Sequence, residues 1–234
     1  MILCLETSTP LCSVALCDNS GVVALRESND GKSHASLLTV FIDELLTEAG
    51  IGAADLEAVA VSRGPGSYTG LRIGVSAAKG IAYAASVPMI GVDTTLSMFH
   101  GVSEIAEKKS LTGNSTLFVP MLDARRMEVY YSIYTGNGET YREVSAEVID
   151  ENSFSDIPAD SRLVFFGDGA SKCRVILEGP DKIFIENFRI SAAHMYKPAF
   201  KAFRERRFED TAYFEPFYLK DFIASRPKKN ILGR

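Results

Sequence analysis

The residues best equipped for chemistry in this chain are few and scattered. Glu6-Thr7-Ser8 follows an apolar run at the start. Arg63-Gly64-Pro65-Gly66-Ser67-Tyr68-Thr69-Gly70-Leu71-Arg72 is rich in glycine, Asp123 and Glu128 lie close together, and Asp168 stands between two glycines. A glycine loop that feeds a helix N-terminus can hold an anion or a partner's carboxylate, because free backbone N–H groups and the positive end of the helix dipole meet there. Leu71 and Arg72 stand where a nucleotide-binding P-loop needs its lysine, and no dinucleotide fingerprint occurs. The residues Gly64, Pro65 and Gly66 equally suit a plain tight turn. Asp123 and Glu128 could share acid–base work, or Asp123 could cap a turn and pair with Arg125 or Arg126. Asp168 could approach a phosphate or metal, or serve only the turn. His34 is isolated and suits a helix cap or surface position. Cys4, Cys12, Cys17 and Cys173 lack Cys-x-x-Cys spacing and read as reduced core residues.

The elements that must position these groups follow from periodicity. Met1–Leu5, Cys12–Cys17 and Val22–Glu27 read as strands, with a turn at Asp18-Asn19-Ser20-Gly21. Ser33 can cap a helix from His34 to Ala49, closed by Gly50. Leu38, Phe41, Ile42, Leu45, Leu46 and Ala49 form its apolar stripe, with Asp43, Glu44 and Glu48 facing water. Leu56–Ser62 is a buried strand, the helix after the glycine loop runs to Ala85, and Val87–Val92 is a further strand, so the crossover is parallel. Gly70, Gly74 and Ala78 recur every fourth residue, as do Ser76 and Gly80. Such rows admit a closely packed neighbour, either the chain's own core or another subunit. Ser103–Lys109 reads as a charged helix, and Leu111–Ser115 as a boundary. Strands are then expected at Thr116–Leu122, Glu128–Tyr134, Glu139–Val148, Leu163–Phe166 and Ile183–Ile185, with helices at Ser171–Leu177 and Ser191–Arg207. Pro216-Phe217-Tyr218-Leu219 is extended. The second half loosely repeats the first, which argues for an α/β chain divided into residues 1–101 and 102–234.

Composition bounds the partners. The net charge of −5 over 234 residues argues against autonomous nucleic-acid binding, although Arg226, Lys228, Lys229 and Arg234 make the end locally basic. No apolar run reaches the length of a membrane span, and the start lacks a basic, apolar leader, so a cytoplasmic protein is expected.

Glu6-Thr7-Ser8, the run Arg63–Val75, Pro88-Met89-Ile90-Gly91-Val92, Asp123–Arg126 with Glu128-Val129-Tyr130, Gly167-Asp168-Gly169 and Pro216–Leu219 occur together and in this order. In combination they strongly resemble the bacterial TsaB (YeaZ) family, over nearly the whole chain. The resemblance implies an actin-like ATPase (ribonuclease-H-like, ASKHA) fold with two similar lobes, each a mixed sheet flanked by helices. The implied role is that of a non-catalytic accessory subunit in making threonylcarbamoyladenosine beside the tRNA anticodon. The implied partners are a TsaD-type threonylcarbamoyl transferase and a TsaE-type ATPase. Such a subunit self-associates as a homodimer in isolation and meets tRNA only through the complex.

The same resemblance implies a partner interface on two helices, carried by Leu38, Phe41, Leu45, Tyr68, Arg72, Ser76, Ala78 and Lys79. It also implies a glycine loop of Gly64, Pro65, Gly66, Ser67, Thr69 and Gly70, and nucleotide-proximal positions at Glu6, Thr7, Ser8 and Asp168. The catalytic paralogue holds its metal with His-x-x-x-His, and those places fall on Thr94 and Met98 here; its Cys-Asp pair becomes Thr9-Pro10. No cofactor, metal or catalytic residue is therefore expected. The rival classes are a metal-dependent glycoprotease-like peptidase, for which no His-Glu-x-x-His exists, and an ATP-binding phosphotransferase in which Glu6 would hold Mg²⁺. Val40 stands where the family often has proline in the first helix, so that helix is expected to be straighter.

Overall fold

The computed structural model describes residues 1–29, 34–111, 113 and 115–219. The expected Ser33 cap and the basic cluster Arg226, Lys228, Lys229 and Arg234 lie outside the described residues.

Two five-stranded mixed sheets organise the chain. The first contains β1 (Ile2–Glu6), β2 (Cys12–Asp18), β3 (Gly21–Ser28), β4 (Ala58–Gly64) and β5 (Met89–Asp93), in the order β3-β2-β1-β4-β5. The second contains β6 (Thr116–Asp123), β7 (Glu128–Thr135), β8 (Thr140–Val148), β9 (Arg162–Phe166) and β10 (Lys182–Ile185), in the order β10-β9-β6-β7-β8. In each, an antiparallel three-strand meander is extended by parallel strands beside its first member. The loose repeat in the sequence is thus one topology used twice. Helix α1 (His34–Ala49) joins β3 to β4; the second unit has turns at the corresponding place, between β8 and β9. Helix α2 (Tyr68–Ala85) joins β4 to β5, and α4 (Ala170–Leu177) joins β9 to β10.

Strand alternation sorts the core. Leu3, Leu5, Val14, Leu16, Val59 and Val61 face α1 and α2, while Ile2, Cys4, Ala15, Cys17, Ala58 and Ala60 face the opposite way. That second face is covered by a 3-10 turn (Ala192–Met195) and α5 (Tyr196–Arg204), through Ala192, Met195, Ala199 and Phe200. A chain cut at 101/102 falls inside α3 (Thr94–Lys108), and residues 192–203 pack on the first sheet, so one cut does not separate the two cores. All four cysteines are buried and free.

Several boundaries moved. Helix α3 begins nine residues before the expected Ser103, because Met98, Phe99, Val102 and Ala106 pack on Phe118, Tyr134, Val164 and Phe166 of the second sheet. Thr94, Thr95 and Gly101 are poor helix formers, and this packing overrides their propensity. The single helix expected from Ser191 to Arg207 is a capped 3-10 turn followed by α5, whose Pro198 is confined to the first turn, where a missing N–H is tolerated. Among the described residues no helix is long and apolar enough to cross a membrane.

Candidate functional site

The glycine loop is a clamp. Gly64 at its start has φ of 118°, and a Cβ there would meet the Phe217 carbonyl. Ser67 caps α2 by accepting from the Gly70 N–H, and the Leu71 N–H goes to the Ser67 carbonyl. The Ser67 N–H in turn donates to the Ser8 carbonyl at 2.6 Å. A side chain on Gly70 would collide with the Thr7 carbonyl, and one on Gly74 with Thr7 Oγ1. The Gly70/Gly74/Ala78 row therefore serves the approach of α2 to the chain's own first loop and sheet, not a neighbouring subunit.

This packing corrects the nucleotide-proximal expectation at three positions. Glu6, Thr7 and Ser8 lie under the loop with 0%, 0% and 2% exposure. Glu6 Oε1 accepts the Ser8 N–H at 2.7 Å, and Ser62 Oγ accepts the Thr7 N–H at 3.4 Å. Burial pushes the Glu6 carboxyl above its ordinary range, against the pull of hydrogen bonds from Ser8 and Ser62. The α2 N-terminus thus faces backbone carbonyls of its own chain, and the site does not fit a phosphate cradle built on Glu6.

Asp168 behaves differently. It lines a cleft of about 270 Å³ between the sheets, together with Thr9, Pro10, Leu11, Met98, Leu122 and Arg189. Its Oδ1 accepts the Asp123 N–H at 3.1 Å. Asp123 also accepts the Arg125 N–H at 2.9 Å, as a turn cap should. Its ionic partner, however, is Lys172 from α4, rather than Arg125 or Arg126. Partial burial raises the Asp123 carboxyl, but Lys172 and the Arg125 N–H outweigh it and hold the group below its usual range. Lys172 was invisible to spacing, since it lies 49 residues away and only the β6–α4 packing brings it in.

The expected partner face divides into core and surface. Leu38, Leu45 and Ala78 are buried against the first sheet and cannot meet a partner directly. They point inward because they occupy the stripe that α1 and α2 use to bury the sheet. Phe41 is half-buried at the edge of that core. Arg72 and Ser76 are exposed on the outer side of α2, together with Thr69, Gly80 and Tyr83, the last 83% exposed. On α1, Val40 is 46% exposed and α1 shows no interior break, in line with the missing proline. A strap of the chain's own C-terminal part flanks this surface. Glu209 bridges to Met89 at the β5 edge, Phe214 packs on the first core, and the Phe217 N–H donates to the Arg63 carbonyl at 2.7 Å. Tyr218 packs on Tyr68 with ring centroids 4.8 Å apart and planes tilted by 38°, and accepts from Arg72 Nε at 3.2 Å, while Lys79 Nζ donates to the Ala212 carbonyl at 3.3 Å. Tyr68, Arg72 and Lys79 thus form a surface that the strap completes. Spacing alone could not show this, since the strap lies more than 130 residues downstream.

Thr94 and Met98, the places of the paralogue's metal-binding histidines, are 0% and 1% exposed. Among the described residues no three His, Cys, Asp or Glu side chains come together as a metal set. The residues present do not fit that metal.

Comparison with known proteins settles the family. The model of the family described as "TsaD: tRNA N6-adenosine threonylcarbamoyltransferase" matches residues 27–158. The protein of Escherichia coli K12 named "tRNA threonylcarbamoyladenosine biosynthesis protein TsaB" is 38% identical over 133 residues, covering 57% of this chain and 54% of that one. The chain belongs to the TsaB/YeaZ family. The match spans about half the length of that TsaB relative. The Bacillus subtilis 168 TsaB is 28% identical over 229 residues, 94% of this chain and 93% of that one. A crystal structure described as an uncharacterised protein with similarity to peptidase YeaZ from Pseudomonas aeruginosa superposes with a TM-score of 0.77 at 25% identity, covering 94% of this chain and 99% of that one. The two mixed sheets are therefore a YeaZ fold.

Proposed function

We propose that this chain is a non-catalytic subunit of the machinery that makes threonylcarbamoyladenosine in tRNA. It docks a TsaD-type threonylcarbamoyl transferase through the α1/α2 face, and a TsaE-type ATPase joins the assembly. In isolation the same face is used by a second copy of the chain, as a homodimer. The repeated strand order supports an ancestral actin-like ATPase body, with one lobe built on each sheet.

The observation that carries this reading is the outer face of α2. One row of small residues is consumed by the chain's own core, yet Ser76 and Gly80 remain exposed beside Arg72 and Tyr83. A Cβ on Gly80 would meet nothing within 4 Å, so its smallness serves no intramolecular contact. Small residues there let another helix approach closely. Co-purification with the transferase from the same cell tests the reading. Arg72→Glu or Ser76→Trp should abolish capture of the transferase while leaving the thermal midpoint near that of the parent. Full-rate tRNA modification by the transferase in cells that lack this chain would refute the reading.

The cleft at Asp168 gives a second reading some support, that of a nucleotide bound between the lobes. Calorimetry with ATP, on the chain alone and on the complex, separates the two. Saturable binding by the free chain that Asp168→Asn removes would favour the nucleotide.

A further inference from the structure

The β6–β7 hairpin tip places two consecutive arginines in a backbone conformation that the turn needs but that arginine adopts only with strain. Arg125 and Arg126 both sit in the left-handed region, with φ of 73° and 51°. Non-glycine residues seldom adopt that conformation, and two in succession at an exposed tip are held there against local preference. Glycine or asparagine would make the same turn with less strain. Backbone bonds lock the tip: the Ala124 N–H donates to the Glu128 carbonyl at 3.1 Å, and the Glu128 N–H to the Arg125 carbonyl at 3.2 Å. Lys172 braces it from below by reaching both Asp123 and the Glu128 carbonyl. Both arginines are exposed, and neither guanidinium forms an ion pair or side-chain hydrogen bond among the described residues. The Arg125 backbone N–H bonds Asp123, but its guanidinium acts on that carboxylate only through charge, because Lys172 already holds it. Three residues before Arg125, Leu122 lines the cleft, whose rim also carries the exposed Arg189.

A braced, strained tip that displays two free guanidinium groups on a chain of net charge −5 is a local anion reader. Guanidinium is the side chain best matched to phosphate, through paired, charge-assisted N–H donors. The geometry points to Arg125 and Arg126 as direct contacts to the phosphodiester backbone of the tRNA while this chain sits in the modifying complex. This rests on the function proposed above and departs in one respect from what the family resemblance implies, that tRNA is met only through the complex. The acidic remainder of the chain keeps the contact from becoming autonomous binding: it adds to affinity supplied elsewhere, and backbone contacts position without reading sequence.

The test uses the reconstituted complex and unmodified tRNA, with affinity measured across a salt series. The Arg125→Ala/Arg126→Ala variant should bind on the order of tenfold more weakly at low salt, with a salt slope shallower by about one per arginine lost. The Arg125→Gly/Arg126→Gly variant should lose the same affinity while its thermal midpoint rises, a pairing of signs that no folding defect produces. Unchanged affinity and slope in both variants overturns the inference and leaves the proposed function standing. Loss of transferase capture, with tRNA affinity of any residual complex intact, also overturns it and marks the tip as a reader of an acidic protein surface. Failure of the parent complex to bind tRNA at all overturns the proposed function as well.

Discussion

The glycines of α2 have opposite duties, and substitution should expose them. Gly70 and Gly74 admit the Thr7 backbone and side chain, so Gly74→Ala should cost about 1–3 kcal/mol, the range of forced overpacking, because Thr7 is fixed by the β1 end. Gly80 faces open space in the same helix, so Gly80→Ala should stabilise by up to about 1 kcal/mol. Chemical denaturation of both variants checks the sign. Glu6 adds a pH term. Its carboxyl is raised in the folded state, so the native protein binds more protons than the unfolded chain above the ordinary carboxylate range. Stability from this group therefore falls as pH rises from 4.5 through the folded value. Glu6→Gln keeps an oxygen for the Ser8 N–H and should raise the thermal midpoint at pH 7 more than at pH 4.

At the scale of elements, α1 shows why a helical stripe is ambiguous. Leu38 and Leu45 have the spacing of either a docking ridge or a core ridge, and the first sheet claims them. Leu45→Ala should cost about 2–5 kcal/mol, as for other buried leucines, and would lower partner capture only by unfolding the chain. Substitution at exposed Val40 or Ser76 is the cleaner probe. The strap is the second element of the face. Tyr218→Ala removes the ring contact with Tyr68 and the acceptor for Arg72, and should increase amide exchange across 209–218 while leaving the first core protected.

At the scale of the whole molecule, α3 binds the two halves. Its Met98, Phe99 and Val102 enter the second core, while Gly101 lies against the His194 ring of the segment that covers the first sheet. His100 sits on the same helix. Burial, then Lys197, Lys201 and His194, press its imidazole from 6.5 down to about 4. A histidine lowered in the folded state binds fewer protons there than in the unfolded chain, so stability is lost as pH falls from 6.5 to about 4. The loss is at most on the order of 3 kcal/mol. His100→Gln should flatten that acid limb in a pH series of denaturation midpoints. Glu6→Gln acts in the opposite sense, so the two variants separate the contributions.

Much of this molecule was legible in one dimension. The α1 limits, His34 to Ala49, agree with the apolar period, and the meander strands agree to within a residue or two, because both signals come from local spacing against a single buried face. The co-occurring motifs carried the family for the same reason: they are strings of residues, readable without coordinates. Tertiary contact alone decided which candidates are reachable. Glu6, Thr7 and Ser8 look like a loop ready for phosphate until the glycine loop is folded down on them, and Leu38 looks like an interface until a sheet is placed beneath it. Likewise Asp123 finds Lys172, and Tyr68 finds Tyr218, only across long stretches of chain. A periodic pattern states that a face must be buried. What buries it depends on contacts between distant segments, which no local period encodes.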